Sequence, residues 1–368
     1  YFFVPPSGDT ASRPESCAPG TIRFNTDVGT LEVYRGDGIG WEYIEKREDQ
    51  YLGGANATGS TSTSLQGSNV GTGTRGLFGG SGDPSSGREQ ILYLTIPTEG
   101  NTLEFGSLSS AKFATAGLGS RTRGVFAGGY NPSQVNVIEF VTFASRGSVT
   151  DFGDTTYAAR DMGGLSSSTR GLFFGGISTG PAPAGTNVIN YITISHTGNA
   201  TDFGDAHAAA EGMEGLASST RGVLMGGQNP SGSSNAISFV TISTTGNSAD
   251  FGDMQASLHT FATGSNSTRG MIGGGRTPDT SSGINTIDFI TIATLGDAQN
   301  FGDLTEARSA CDGVNDPTRF VVAGGYNPSN VNTIDFVTIS TTGDAIDFGD
   351  LTYGRNRSGS CSNAHGGL

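Results

Sequence analysis

Lysine is almost missing from this chain: Lys46 and Lys112 are the only two among 368 residues, and the formal net charge is -14. An acidic surface without a basic cluster repels phosphate backbones, which argues against nucleic acid as a partner. Cysteine is sparse and odd in number (Cys17, Cys311, Cys361), so no disulfide framework is expected. Cys311 and Cys361 read as the same place in consecutive repeats, filled by a small buried hydrophobe. No apolar run is long enough to span a bilayer, so membrane insertion is not expected. The four histidines, His196, His207, His259 and His365, stand at non-equivalent places and no pair has metal-ligand spacing. A Gly-x-Ser-x-Gly elbow and a phosphate loop are also missing. The expectation is a protein without enzymatic activity, cofactor or metal.

What the chain has in excess is glycine, 60 residues, against a hydrophobic share of 34%. Without a Gly-X-Y period this composition excludes collagen and points to many turns between short strands, each burying a little. The glycines belong to a repeat. Thr-Arg recurs at Thr74, Thr122, Thr169, Thr220, Thr268 and Thr318, with spacings of 48, 47, 51, 48 and 50. Phe-Gly recurs at Phe105, Phe152, Phe203, Phe251, Phe301 and Phe348, with spacings of 47, 51, 48, 50 and 47. Two markers keeping step over six copies define a tandem unit of about fifty residues, the sequence mark of a stacked-repeat architecture.

One unit reads as four strands. Gly163 to Ser168 is a small-residue strand, and Arg170 to Phe174 is a second that ends at Gly175-Gly176. After a loop from Ile177 to Gly185, Val188 to Ile194 alternates as a strand does, and Ala200 to Phe203 closes the meander. The fold class is therefore all-β. Such a sheet cannot bury both faces alone, whereas identical sheets set around an axis bury them against one another. The domain reading is an extended arm at residues 1–19, three short strands within 20–49, and six repeats with a terminal closing strand over 50–368.

Three repeated features are candidates for function. The arginines after each Thr form a set of like groups; lining a channel for an anion is one reading, pairing with carboxylates to set sheet register is the stronger. Asp-Phe-Gly occurs at Asp151, Asp202, Asp250 and Asp347, with Glu104 and Asn300 in the other copies. With no catalytic loop beside it, it reads as turn capping rather than magnesium or calcium binding. The loops after the Gly pairs vary while the strands barely change, and loops on rigid scaffolds commonly carry binding. Tyr130-Asn131 and Tyr326-Asn327 offer an aromatic face plus an amide suited to a sugar, with Gln228, Asn229 and Arg276 at matching places.

The doublets Gly128-Gly129, Gly175-Gly176, Gly226-Gly227, Gly274-Gly275 and Gly324-Gly325, with Gly79-Gly80 shifted by one, resemble those of the kelch repeat. That resemblance implies a β-propeller of four-stranded blades, with Phe of Phe-Gly in the place of the family's Trp. Seven blades are expected, the last made by residues 20–45 joining the C-terminal strand from Gly359; the alternative is six blades and a separate N-terminal hairpin module. The run Pro6 to Pro14, then Gly20 to Thr26, Leu31 to Tyr34 and Trp41, resembles a segment recurrent in bacteriophage tail fibres, and the repeat wording is similar to structural proteins of marine cyanophages. This second resemblance implies a virion component, oligomeric in the extracellular particle. Its partners would be other virion proteins through the N-terminal arm, and a host-surface glycan through the loops. A tail-fibre or spike role leads; a capsid decoration protein and a polysaccharide depolymerase are the alternatives.

Overall fold

The computed structural model describes residues 5–14, 17–27, 30–34, 41–44, 75–82, 87–178, 185–278 and 283–368. The chain divides into two compact units, Tyr1–Leu65 and Gln66–Leu368. Both are β structures, and no α-helix occurs among the described residues.

The first unit holds a four-stranded sheet in the order Ser7–Gly8, Ile22–Asn25, Thr30–Tyr34, Trp41–Ile44. Ser7–Gly8 runs parallel to Phe24-Asn25, and the Trp41 indole donates to the Pro14 carbonyl at 3.0 Å. Residues 5–14 therefore fold back onto the sheet, in place of the extended arm expected. Glu32, wholly buried, is held by Arg13 at 2.6 Å, Asn25 at 3.1 Å and Arg23 at 3.4 Å. A buried carboxylate is tolerable only with partners of this kind.

The second unit contains six antiparallel four-strand meanders, here sheets 1 to 6. Sheet 2 is Ala116–Gly119, Arg123–Ala127, Val137–Thr142 and Thr150–Asp154. Sheet 3 begins with Gly163–Ser166, Arg170–Phe174 and Thr186–Thr193. The long strand Thr201–Ala217 closes sheet 3 with its first half and opens sheet 4 with its second, before Arg221–Asn229, Ala236–Thr241 and Ala249–Asp253. Sheet 5 is Ala262–Ser265, Arg269–Gly273, Ile284–Thr291 and Gln299–Arg308; sheet 6 is Asp312–Asn315, Arg319–Ala323, Thr333–Thr338 and Ile346–Asp350.

Sheet 1 takes its first strand from the other end of the chain: Gly359–Ser362 pairs antiparallel with Arg75–Gly79, followed by Arg88–Thr95 and Leu103–Lys112. This corrects the expected closure. The C-terminal strand does close the set, but against the first repeat rather than against residues 20–45, whose described strands pair among themselves. The reason is register. Leu77 and Cys361 lie opposite each other as the corresponding residues of the other sheets do, so the terminal strand fits the first-strand slot of sheet 1. An arrangement of several four-stranded antiparallel sheets is compatible with a β-propeller.

Neighbouring sheets are joined by three repeated sets of bonds, each running once around all six. Innermost, the residues before the first strands are Ala114, Asp161, Gly212, Thr260, Ala310 and Arg357. Each takes the left-handed conformation, at φ between 49° and 61°. The N–H of each donates to the carbonyl of its counterpart in the previous sheet, from Asp161 to Ala114 onward until Ala114 itself donates to Arg357, at 2.8 to 3.1 Å. In the middle, the repeated arginines reach main-chain carbonyls of the following sheet: Arg123 to Ile194 at 2.8 Å, Arg170 to Ile242 at 2.9 Å and, across the closure, Arg319 to Ile96 at 3.3 Å. Outermost, a turn glycine donates to the Phe-Gly carbonyl of the preceding sheet, as Gly198 does to Phe152 at 2.7 Å and Gly100 to Phe348 at 2.8 Å.

The faces between sheets are apolar, and they explain the glycine after each repeated arginine. A side chain at the third position of one first strand points at that glycine in the next sheet. A Cβ there would lie 2.7 Å from Leu118 at Gly171, 2.7 Å from Leu165 at Gly222 and 2.5 Å from Val314 at Gly76. In sheet 6 the relation is inverted. Phe320 stands where the other copies have glycine, and Gly264 of sheet 5 stands where they have Leu, Val or Cys. A Cβ on Gly264 would meet the Phe320 ring at 2.5 Å. Cys361 occupies the third position against Gly124, whereas Cys311 lies three positions earlier in its repeat and donates to the Gly273 carbonyl at 3.5 Å, so the two cysteines are buried but not equivalent.

This exchange of a large for a small residue predicts a double-mutant result. Gly264→Leu is expected to destabilise by about 3 kcal/mol through overpacking, and Phe320→Gly by a similar amount through a cavity. Combined, they should recover more than half of the summed loss in denaturant unfolding; strictly additive losses would show that the two positions do not share one space.

Candidate functional site

In an antiparallel meander the loops between second and third strands lie at the same end as the connections to the next sheet. Here the two interlock: Tyr130 bridges to Phe113, Arg276 to His259 and Tyr326 to Ser309. The Gly pair makes this approach possible. Gly128 has φ +63°, and a Cβ on it would lie 2.5 Å from the Ala159 carbonyl. Three predicted loops fall partly outside the described residues, at 83–86, 179–184 and 279–282.

The predicted binding residues form three separate places. Tyr130 is half-buried, its ring 5.4 Å from that of Phe113 and 5.7 Å from the Arg160 guanidinium. Asn131 is exposed, and its N–H is tied to the Ser133 carbonyl at 2.8 Å. Tyr326, the equivalent residue in sheet 6, has 38% of its surface exposed because Ser309 stands where Phe113 covers Tyr130. Asn327 beside it is half-buried. The Tyr326 loop is also knit to sheet 1, since Asn330 donates its amide to the Gly82 carbonyl at 2.8 Å and receives the Asn356 amide at 2.8 Å.

Gln228, Asn229 and Arg276 are linked through a residue that sequence reasoning passed over. Gln228 pairs with Ser233 and Asn229 with Gly232, closing a hairpin. The Ser233 hydroxyl meets Nδ1 of His259 at 2.9 Å, and the backbone of His259 pairs with that of Arg276. Burial and then the nearby Arg276 and Arg357 charges push the His259 ring down to about 4, so it is neutral at neutral pH. A serine–histidine contact is the start of a nucleophile, but no carboxylate orients this ring in any hydrogen bond to a described residue. What the contact does is hold the hairpin that carries Gln228 and Asn229.

The other repeated candidates sit in the scaffold. The arginines bind carbonyls rather than carboxylates and stack on aromatic rings of their own sheets, Arg123 on Phe140 at 4.3 Å and Arg170 on Tyr191 at 4.5 Å. Among the described residues, only Arg319 of this set adds a carboxylate, Glu99 at 3.5 Å. The Phe of each Phe-Gly packs edge-on against an aromatic of the third strand, as Phe152 does on Phe140 at 5.9 Å. Four buried or partly buried positions hold ionisable pairs or their remnants: Lys112 meets Glu139, Arg308 meets Asp335 at 3.0 Å, while Asp288 and Arg355 lack the opposite charge there. Among the described residues, no three His, Cys, Asp or Glu side chains are grouped to hold a metal ion. No helix among them is long and apolar enough to cross a membrane.

No model of a known protein family matches the chain, and no curated protein matches it.

The depressed His259 sets a sign for pH dependence. With a folded value of about 4 against an ordinary 6.5, its contribution is complete above pH 6.5 and is lost as pH falls toward 4. His259→Gln, which keeps an amide for Ser233, should flatten the decline of the melting midpoint between those values; curves that fall in parallel would contradict the assignment.

Proposed function

We propose that sheets 1 to 6 are the blades of a six-bladed, kelch-like β-propeller, and that the chain is a non-enzymatic component of a phage virion that recognises a host-surface glycan. The observation that carries the binding reading is the contrast between scaffold and loops. The sheets are cross-bonded in the same way around all six positions, while one end presents loops that vary in length and sequence among the copies, the near-identical Tyr130 and Tyr326 loops excepted, and whose described residues are anchored by backbone bonds. Such a platform holds binding groups still and thereby lowers the entropic cost of recognition. The cyclic bonding supports the propeller and its count of six. The virion assignment rests on the resemblance of residues 6–41 and of the repeat wording to phage structural proteins. In this reading the folded N-terminal unit, rather than an extended arm, attaches the chain to the particle.

Tyr326 is the foremost contact. It combines an open aromatic face with the neighbouring Asn327, the combination that stacks on a sugar ring and bonds its hydroxyls. Tyr130 contributes less, because Phe113 and Arg160 cover part of its ring. On an array of bacterial surface polysaccharides the intact chain should bind a small subset. Tyr326→Ala should weaken that binding by about tenfold or more, the loss expected of an aromatic anchor, with Tyr130→Ala costing less and neither changing the melting midpoint. Labelling of intact particles at the capsid surface, with no polysaccharide bound, would instead favour a decoration protein.

A further inference from the structure

The axial cavity that the six first strands enclose, about 90 Å3 in volume, has Glu214 and Asp312 in its lining and repels an anion. A pair of cations meets instead at the end of the sheets opposite the variable loops, at the seam between sheets 1 and 2. There two guanidiniums share one ring. Arg75, the repeated arginine of sheet 1, lies 5.4 Å from the centre of the Tyr93 ring; Arg146, in the turn before the last strand of sheet 2, lies 4.9 Å from it and donates to the Tyr93 hydroxyl. Arg75 also donates to the Phe143 carbonyl, as its counterparts do to the following sheet. In the other five sheets the repeated arginine lies 4.3 to 4.6 Å from its ring. Arg75 alone of the six stands off, and of these six third-strand rings only Tyr93 holds a second arginine.

Neither cation is neutralised. Arg75 is 6% exposed and Arg146 is exposed, and neither pairs with a carboxylate among the described residues. A guanidinium has five N–H groups, and Arg75 spends one of them on Phe143. Burial pushes the Arg75 guanidinium down from its ordinary value; Tyr93 opposes that shift, and the Arg146 charge adds to it. The turn that brings Arg146 here is fixed, because Gly147 donates to the Phe105 carbonyl at 3.0 Å and Val149 to the Ser107 carbonyl at 2.9 Å. The neighbouring seam shows what this place accepts. The corresponding turn residues are Thr197, Thr245, Leu295, Thr342 and Glu99. Between sheets 6 and 1, Glu99 sets its carboxylate 3.5 Å from the repeated Arg319. Between sheets 1 and 2 a guanidinium stands where that carboxylate would, so an oxyanion for Arg75 has to come from outside the chain. We propose that Arg75, Arg146 and the Tyr93 hydroxyl form a binding site for a small oxyanion, sulfate or phosphate, either free or borne on a saccharide.

The chemistry selects the ligand. A guanidinium presents paired N–H groups that match two oxygens of one oxyanion, which a chloride ion lacks. A metal cation would meet two positive charges. A polyanion is held off at longer range by the net charge of -14, so the ligand is small. Once bound, an oxyanion compensates both guanidiniums and removes the penalty of holding like charges together. The site is independent of the glycan reading, since it uses none of the loop residues and lies at the opposite end of the sheets.

The test is calorimetric titration of the full chain with sulfate, inorganic phosphate and glucose 6-phosphate, at constant ionic strength in sodium chloride. Saturable binding at a single site per chain is expected, and the tighter of phosphate and glucose 6-phosphate names the source of the group. Arg146→Thr, which installs the residue commonest at this place in the turn, should weaken binding about tenfold or more, the loss expected of one charge-assisted contact. Arg146→Glu, which copies the Glu99 arrangement, should abolish binding and raise the melting midpoint in sulfate-free buffer by about 1–2 °C. The unmutated chain decides the case even if a variant does not fold: no saturable heat with any of the three compounds would overturn the proposal. Equal affinity in Arg146→Thr, or binding retained in Arg146→Glu, would overturn it too, and glycan binding would be untouched by any of these outcomes.

Discussion

Everything in the second unit depends on how the sheets are held to one another, and the central device is the innermost ring of six main-chain hydrogen bonds. Five of the bonds join residues about fifty positions apart and the sixth joins Ala114 to Arg357 across the closure, and every donor is in the left-handed conformation. That conformation is unfavourable for any residue but glycine by about 1–2 kcal/mol. Five of the six positions are not glycine, and one is the β-branched Thr260. The strain persists because the geometry is over-determined. A single residue relaxing would break bonds to both neighbours and expose two buried peptide groups.

The arginine and turn-glycine rings repeat this logic farther from the axis. In each, a side chain or a turn of one sheet satisfies a carbonyl of the adjacent one, so no sheet is complete without its neighbours. This explains why the closing strand matters. Without Gly359–Ser362, sheet 1 would lack its inner strand, and the exposed Leu77 and Gly76 edge would be left unpaired. It also explains why variation is confined to particular places. The glycine that receives a neighbour's side chain is free to become phenylalanine only where the incoming residue is itself glycine, as at Phe320 and Gly264.

The same economy shapes the loops and the axial cavity. The loops sit at the end where each is stitched to a connection between sheets, so they vary in sequence without loosening the sheets. The axial cavity exists because most first-strand residues that face it are small, and its character is then set by the few that are not. Glu214 and Asp312 are the two acidic side chains in its lining.

The all-β class, the four-strand unit and its borders were legible in the sequence, because glycine pairs, alternation and fixed spacing are local signals that neighbouring residues impose on each other. The residues of the variable loops were legible for the same reason, as turns at a constant place in the unit. The sequence could not decide which strand closes the set, since the small-residue run at Gly359 matches any first strand and only the register against Arg75–Gly79 selects one. Nor could it show that the repeated arginines seek carbonyls rather than carboxylates, that Ser309 leaves Tyr326 uncovered where Phe113 shields Tyr130, or that Glu214 and Asp312 face one space from two sheets. Those facts are contacts between residues tens to hundreds of positions apart, and they come into being only when the sheets are arranged against one another.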